Sequence, residues 1–420
     1  MKVVFICGGA SKRMYPLTEG KYFLNLLGKP LLHHQIIVAK KAGLNHFVIV
    51  GNPTNIKGIE EIISLIPSIT VETAIQQKSL GIANALEAAS EYLDDEIIVV
   101  NPNDIFYETA YTTLLLEKSL DSAESYLLGY KVDKYFPGGY LVVDENDYLK
   151  NIVEKPAEGS EPSDMVSVLV HMHTDPQKLL KYATNIKAGG NDTYARTLDT
   201  MMKDGQRIKV LPLPGLWNTI KYPWHILEVA RRFFTQFERY IAPTAKISDR
   251  AITEGKVIIS DRVQVMENTV VRGPAYIGPG TFIGTNCLVS DNSHIGANCK
   301  ISNATVIENS YIGDNNQFNM NYIGDSVIGE NCNFGAGTKT ANHYPDGGSV
   351  KVRIGDNEID TGLNKFGAVI GNSCRFGINS SILPGVKIAP DSVIGSHTCV
   401  NRDVGIKSTR VVAKRPEKRN

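Results

Sequence analysis

Aliphatic residues recur at every sixth position through much of the second half of the chain: Ile259, Val265, Val271, Ile277, Ile283, Val289, Ile295, Ile301 and Ile307. The same step returns at Ile370, Phe376, Ile382, Ile388, Ile394 and Val400. Glycine often follows, as in Ile277-Gly278, Ile283-Gly284, Ile295-Gly296 and Ile394-Gly395. A helix repeats at about 3.6 residues and a strand at about two, so neither produces a step of six. A coil with short flat faces does. Each hexad supplies one face and its corner, and the aliphatic side chain points into a narrow stacked core. Nine unbroken matches argue against chance spacing of β-branched residues. The ladder breaks at roughly 338–367, where Tyr344-Pro345-Asp346-Gly347-Gly348 signals a turn, so a loop thrown out from the coil is expected there.

The first half carries a different rhythm. Residues 2–7 read as a buried strand broken by Gly8-Gly9, Pro30 to Ala42 as a helix, His46 to Val50 as a strand and Ile56 to Ile66 as a helix. An extended segment at Ile69 to Ala74, a helix at Gly81 to Leu93 and an apolar strand at Glu96 to Val100 follow. Strands alternating with helices predict an α/β domain, Rossmann-like, whose parallel sheet is covered on both faces. Ligands of such sheets sit at the carboxyl ends of the strands. Lys150 to Pro156, Ile208 to Pro212 and Trp217 to Pro223 continue this domain. The expected organisation is a domain over 1–223, a linking amphipathic helix over 224–240, a coil over 241–406 and a basic tail over 407–420.

Composition narrows the function classes. The 420-residue chain holds 44 Lys+Arg against 44 Asp+Glu, a balance that gives no global attraction to nucleic acid or an anionic membrane. The tail from Lys407 is the exception, and a frayed soluble end is its expected state. The six cysteines are scattered, with no Cys-x-x-Cys pair. That pattern speaks against zinc and a disulfide framework and suits a reducing, cytoplasmic interior. Val3 to Cys7 is too short for a signal peptide or a membrane span.

Candidate chemistry begins at the first strand's end. Glycines there let backbone N–H groups approach phosphates closely, and Arg13 and Lys21 would place fixed charge beside them. Taken alone, Gly8-Gly9 could equally be an ordinary βα turn. The motifs that follow in order make the segment specific. Cys7-Gly8-Gly9-Ala10-Ser11-Lys12-Arg13-Met14-Tyr15-Pro16 resembles the signature loop of the sugar-1-phosphate nucleotidylyltransferases, continued by Lys21, Leu24 and Gly28-Lys29-Pro30. Gln76 with Gly81-Ile82-Ala83-Asn84 resembles that family's base-contacting loop. Asn103-Asp104 stands where the family has its magnesium-binding Asp, and Glu154-Lys155-Pro156 matches its sugar-contacting motif. The ladder is similar to the left-handed parallel β-helix of hexapeptide-repeat proteins, which the same family commonly carries at its C-terminus.

The resemblance implies Mg²⁺-dependent transfer of a nucleotidyl group from a nucleoside triphosphate, UTP or dTTP, to a sugar 1-phosphate. In that reading Gly8, Gly9, Gln76 and Gly81 bind the nucleotide, Arg13 and Lys21 meet the leaving pyrophosphate, and Glu154 and Lys155 hold the sugar phosphate. Asp104 ligates the metal, with Asn218 as the second candidate. A homotrimer built on the coil is implied as well. Tyr322-Ile323-Gly324-Asp325 and Gly335-Ala336-Gly337-Thr338 resemble the acetyltransferase half of bifunctional enzymes of UDP-N-acetylglucosamine synthesis, which makes Asn333 and Asn342 second-site ligands.

Departures from the pattern keep other readings open. Thr219 stands in the usual second carboxylate's place, and Ser167-Val168-Leu169 replaces the sugar-binding Asn-Ala-Gly. Asn319 replaces the acetyltransferase's catalytic His, and the positions expected for its phosphate clamp, near Val289-Ser290 and Ile307-Glu308, are not basic. A catalytically reduced regulatory or scaffold paralogue is therefore the rival class, and an acyltransferase acting through the coil is a third reading.

Overall fold

The computed structural model describes residues 1–186 and 192–405 together with the backbone of Arg410–Val411. The basic tail expected at 407–420 thus lies outside the described residues but for that short strand. The chain forms two compact units. The first comprises Met1–Ala10, Gly20–Phe23 and Pro30–Thr219, and the second comprises Ser11–Glu19, Leu24–Lys29 and Ile220–Asn420.

The first unit is built on strands β1 (Lys2–Ile6), β2 (His46–Gly51), β3 (Thr70–Ile75), β4 (Ile97–Val100), β5 (Asp104–Ile105), β6 (Ser125–Lys131), β7 (Gly139–Val143), β8 (Leu149–Glu154), β9 (Met165–His173), β10 (Ile208–Pro212) and β11 (Asn218–Thr219). Its helices are α1 (Leu31–Lys41), α2 (Ile56–Ser64), α3 (Ile82–Ala88), α4 (Thr109–Leu120), α5 (Pro176–Asn185) and α6 (Thr193–Lys203). One nine-stranded sheet runs in the order β8-β7-β9-β4-β1-β2-β3, with β6 beside β9 and β10 beside β6. The apolar run Val3-Val4-Phe5 is buried because both faces of β1 are covered. Val3 and Phe5 join Leu32, Ile36, Ile59 and Tyr111 on one face, whereas Val4 joins Leu86, Leu179 and Leu198 on the other. The expected alternation therefore holds for β1 to β4, which pair in parallel. The remainder differs: β9 runs antiparallel to β4, β6 and β7, so the sheet is mixed. A parallel partner needs a crossover of about a dozen residues, usually a helix, and none of the loops joining β7, β8 and β9 supplies one.

The second unit is a three-faced parallel β-helix. Three sheets of 8, 9 and 8 short strands stack along it. Partners are eighteen residues apart in the early turns, as in Ala275↔Ser293. The inward ladder does not stop at Ile307. It continues through Ile312, Phe318, Ile323, Ile328 and Phe334, all buried, but several steps shrink to five residues. Tyr311↔Val327 accordingly lie sixteen apart. A face one residue shorter leaves the hexad count but keeps the stack, so counting alone loses the ladder where packing does not. Phe318, Phe334 and Phe376 form an inner column with ring centroids 4.8 and 4.5 Å apart. The excursion begins after the rung strand Lys339–Thr340 and contains an antiparallel hairpin, Lys351–Ile354 with Asn357–Asp360.

The helix expected over 224–240 is α7 (His225–Thr235). It ends early because Tyr240–Ile241 already forms the coil's first rung, paired with Ile258–Ile259. Two segments from early in the chain lie on the coil. Leu27 donates its N–H to His294 Nε2 at 3.1 Å. His294 is sandwiched between Tyr276 and Tyr311 at 4.7 and 4.9 Å. The turn is feasible because Leu27 and Gly28 both take positive φ, 51° and 82°.

Candidate active site

The carboxyl end of β1 turns sharply at Gly8. A Cβ built on Gly8 would stand 2.1 Å from Gln76 Oε1, so a larger residue would have to displace the Gln76 side chain. The turn's carbonyls are tied back by side chains. Asn55 Nδ2 donates to the Cys7 oxygen at 2.8 Å, Ser79 Oγ to that of Gly8 at 2.6 Å, and Tyr22 Oη to that of Gly9 at 2.7 Å. Fixing the carbonyls fixes the peptide planes between them and hence the directions of the intervening N–H groups. Gln76 is buried and donates Nε2–H to the Gly81 oxygen at 2.9 Å and to Asn84 Oδ1 at 3.1 Å. Gly8, Gly9, Gln76 and Gly81 thus form one contiguous cluster.

Asp104 is 5% exposed. Its Oδ1 accepts Trp217 Nε1–H at 3.2 Å and its Oδ2 accepts Asn101 Nδ2–H at 3.1 Å. Trp217 is braced by Phe136 and Tyr130, with centroids 4.9 and 5.4 Å away. The register of β5 and β11 sets Thr219 opposite Asp104 and Asn218 opposite Ile105. Opposed residues share a face of a pleated pair, so Thr219 lies on the Asp104 side and Asn218 on the other. Asn103 buries an amide oxygen, Oδ1, that no donor reaches. Gln35, whose Nε2 donates to the Asp104 carbonyl at 2.8 Å, buries an equally orphaned Oε1. A carboxylate together with amide oxygens that no donor reaches suits a hard divalent cation, and Mg²⁺ takes few protein ligands, so these residues would suit it. Among the described residues no group of three or more His, Cys, Asp and Glu converges as a metal cage.

Glu154, at the end of β8, faces Gly139 of β7 in the ladder. Lys155 holds a positive φ of 49° and pairs its Nζ with Glu154 Oε1 at 2.6 Å. Lys21 lies in a short 3₁₀ turn of the first unit. Arg13 belongs to the second unit, where its guanidinium lies 6.0 Å from the Tyr222 ring centroid and Tyr222 stacks on Trp224 at 4.5 Å. The proposed second-site residues are also there. Asn333 is exposed on a rung between Gln317 and Arg375. Asn342 is buried and donates Nδ2–H to Asp325 Oδ2 at 2.6 Å, while Tyr322 Oη donates to Glu308 Oε2 at 3.1 Å. Burial, then the Glu308 carboxylate, pushes the Tyr322 phenol up to about 12. Directly beneath Tyr322 in its outward ladder stand Val306 and then Leu288. Val289 and Ile307, by contrast, are fully buried in the coil.

The nucleotidyl transferase family model matches residues 2–220, more than half the chain. The chain belongs to the nucleotidyl transferase family. A model of the GMPPB C-terminal domain matches residues 266–375, and one of six bacterial transferase hexapeptide repeats matches residues 367–402. The coil of this nucleotidyl transferase is therefore the left-handed parallel β-helix. Its relatives include a bifunctional sugar-1-phosphate nucleotidylyltransferase/acetyltransferase of Sulfurisphaera tokodaii, 30% identical over 415 residues, covering 96% of this chain and 98% of that one. The bifunctional protein GlmU of Methanocaldococcus jannaschii is 28% identical over 426 residues, covering 99% and 98%. A UDP-glucose pyrophosphorylase solved with UDP-glucose shares the fold with a TM-score of 0.50 at 18% identity, covering 56% of this chain and 99% of that one.

Sequence reading quoted Asn103 beside Asp104 but gave it no role of its own, and it did not single out Asn101. Nor did it find His171 and His173, which sit in an apolar strand pattern yet are buried and hydrogen-bonded. Burial drives His173 down to about 3 and His171 well below the usual histidine range. Unfolded, each binds a proton near pH 6.5; folded, neither does until far lower pH, so the unfolded state gains protons first. Stability of the first unit is therefore at its full value above pH 6.5 and falls as pH drops below it, His173 losing its contribution down to about pH 3 and His171 acting in the same direction. Denaturant titrations at a series of pH values should show this slope, and His173→Phe should flatten it while lowering stability at pH 7. A wild-type profile flat from pH 7 to 4.5 would contradict the assignment.

Proposed function

We propose that this protein transfers a nucleotidyl group from UTP or dTTP to a sugar 1-phosphate and releases pyrophosphate. What carries the reading is three features of the first unit: the Gly8–Gln76 turn and the Glu154–Lys155 pair at strand ends of the mixed sheet, and the Trp217-held Asp104 on the separate β5–β11 ribbon. A sugar phosphate oxygen attacks the α-phosphorus, and the bond to the β-phosphate breaks with its electrons going to pyrophosphate. Such reactions ask for positioning and charge stabilisation rather than a covalent partner. Gly8 and Gly9 admit the triphosphate to the backbone. Gln76 and Gly81 frame the base. Lys155 meets the sugar phosphate with Glu154 beside it, and Lys21 offsets charge growing on the leaving group. Asp104 would hold Mg²⁺, with Asn103 Oδ1 as a further oxygen; when bound, the ion neutralises phosphate charge. Cytoplasmic residence belongs to the same reading: six free thiols suit a reducing compartment, and no described helix is long and apolar enough to cross a membrane.

A specific observation favours a second reading. Thr219 faces Asp104 where a second carboxylate is expected, so a paralogue that binds without turning over would look much like this. We also propose a homotrimer. The outward ladder Ile252, Val270, Leu288, Val306 and Tyr322 gives one face of the coil an apolar stripe, whereas the ladder Lys246, Gln264, Phe282, Lys300, Gln317 and Asn333 on another is polar but for Phe282. Stripes of this kind need covering.

A pyrophosphate-release screen of all nucleoside triphosphates against several sugar 1-phosphates tests the main reading. Asp104→Asn should abolish release in the pair that works best and leave the melting temperature within a few degrees of wild type; undiminished turnover would remove Asp104 from the metal site. Triphosphate binding with no release from any pair would favour the paralogue. Light scattering should give three times the 46.1 kDa chain mass, and a monomer would overturn the trimer. Finally, the coil should not acetylate glucosamine 1-phosphate efficiently. Asn319 cannot accept a proton from the attacking amine, and loss of a positioned base costs roughly 10²–10⁴-fold. A thiol-release assay with acetyl-CoA decides this: brisk turnover, especially if lost in His343→Ala, would show that another base serves.

A further inference from the structure

Lys21 stands on a short bridge of chain. Gly20–Phe23 belongs to the first unit, but the stretches on either side, Ser11–Glu19 and Leu24–Lys29, belong to the second. The bridge itself is pinned. Tyr22, next to Lys21, is buried and donates its hydroxyl to the Gly9 carbonyl at 2.7 Å. Phe23 lies on α2, where a Cβ built on Gly58 would stand 2.8 Å from its ring. These contacts fix the two residues after Lys21. The direction in which the chain enters and leaves the bridge is set by its flanks.

Both flanks rest on the coil. Before the bridge, the Pro16 carbonyl lies against Gly371, whose missing side chain makes room: a Cβ there would stand 2.8 Å from that oxygen. The Lys387 ammonium lies 5.9 Å from the centroid of the neighbouring Tyr15 ring. After the bridge, Asn25–Leu26 pairs with Lys29–Pro30 in a hairpin whose turn is Leu27-Gly28. The Leu27 N–H is donated to His294 Nε2 at 3.1 Å, and a Cβ on Gly28 would meet the Tyr276 hydroxyl at 2.6 Å. The rung of His294 and the rung that ends at Gly371 are three steps apart in the stack. Rungs are about 4.8 Å apart, so the two footholds are separated by roughly 14 Å along the coil. Footholds that far apart fix a direction as well as a position.

His294 suits this task. It is 1% exposed, and burial holds its imidazole down at about 3, so it is neutral near pH 7 and free to accept at Nε2. Tyr276 and Tyr311 stack on its two faces and keep the ring from tilting, so the acceptor points one way. A residue that only filled the space between two tyrosine rings would cost less as a phenyl ring. The imidazole answers one backbone N–H, and that N–H belongs to the turn that follows Lys21.

We propose that His294 is a positioning residue for nucleotidyl transfer: by holding the hairpin turn after Lys21, it sets where the Lys21 ammonium stands. This rests on the nucleotidyl-transfer reading, in which Lys21 offsets charge growing on the expelled pyrophosphate. It adds that the coil takes part in that step through the chain, not by contact with a substrate. The flanks are short, since Pro16 precedes Lys21 by five residues and Leu27 follows it by six, so little slack absorbs a slip at either foothold. The charge that Lys21 meets grows in the transition state, so a misplaced ammonium lowers kcat more than it raises KM.

The test is a double-mutant cycle on the full-length protein, with the triphosphate and sugar 1-phosphate that release pyrophosphate fastest. His294→Phe keeps the stack and removes the acceptor. It should lower kcat about fivefold to tenfold, the worth of one hydrogen bond, with KM for both substrates within about twofold. In a Lys21→Ala background it should lower kcat by less than about twofold. His294→Gln, whose amide reaches the place of Nε2, should recover most of the loss. Hydrogen exchange read by mass spectrometry should show residues 24–29 loosened by His294→Phe and tightened again by His294→Gln. Should His294→Phe fail to fold, Tyr276→Leu, which frees one face of the imidazole, takes its place in the cycle. Equal losses with and without Lys21, no rescue by glutamine, or a loosened hairpin with unchanged kcat would reduce His294 to a packing residue and overturn the proposal. A Lys21→Ala enzyme as fast as wild type would do the same. If wild type binds triphosphate but releases no pyrophosphate from any pair, the catalytic reading falls alone, and the cycle is judged by the calorimetric Kd for inorganic pyrophosphate. If wild type binds neither triphosphate nor pyrophosphate, both fall.

Discussion

In a coil with three short faces, every inward side chain must sit directly above its counterpart one turn below. There is no room for a second layer, so the backbone ladder and the core are one constraint. The consequences run through the second unit. Phe318, Phe334 and Phe376 stack because each occupies the same point of successive turns. Cys299 turns its thiol to the Gly313 carbonyl one coil on, and Asn316 bridges the Gly313 and Gly329 carbonyls with its amide. Corners are filled by residues that tolerate positive φ, such as Asn286, Asn298 and Asn331. The outward positions are free of that constraint, and there the sequence varies from polar to apolar from face to face.

The first unit solves the opposite problem. A sheet covered on both faces is stable without help from any one side chain, so polar groups can be buried at its edge at a tolerable cost if they find partners. Asp104 accepts hydrogen bonds from an indole and an amide, both neutral donors. Asn103 and Gln35 add oxygens without donors nearby. A purely structural loop would gain by satisfying those atoms; a loop that receives a cation gains by leaving them.

The hydrogen-bonded chain from Ser125 through His173, Tyr194 and His171 to Ser167 shows the same logic at higher stakes. Two histidines and a tyrosine in an apolar setting are expensive, and what offsets the cost is that, with Ser125 donating first, each donor meets an acceptor. That arrangement also locks β9 to α6, since Tyr194 belongs to the helix and both histidines to the strand. The bracing of this edge of the sheet and the placement of the Ser167 hydroxyl thus have a common origin.

The amino-acid order by itself determined the periodicities: six for the coil, the buried apolar runs for the sheet, and the motifs from Gly8 to Lys155 that resemble one enzyme family. These are local signals, carried by residues close in sequence, and they were readable for that reason. Counting failed where the coil shortened its faces beyond Ile307, because the stack is kept by contacts between turns and not by the step along the chain. Only the tertiary structure decided that Thr219 rather than Asn218 shares a face with Asp104, that the rungs under Tyr322 are Val306 and Leu288, and that Ser167 is tied to Ser125 through three buried rings. Each of those depends on strand register or on a hydrogen bond between residues far apart in sequence. A one-residue shift in register turns a side chain to the opposite face, and no local pattern encodes that choice.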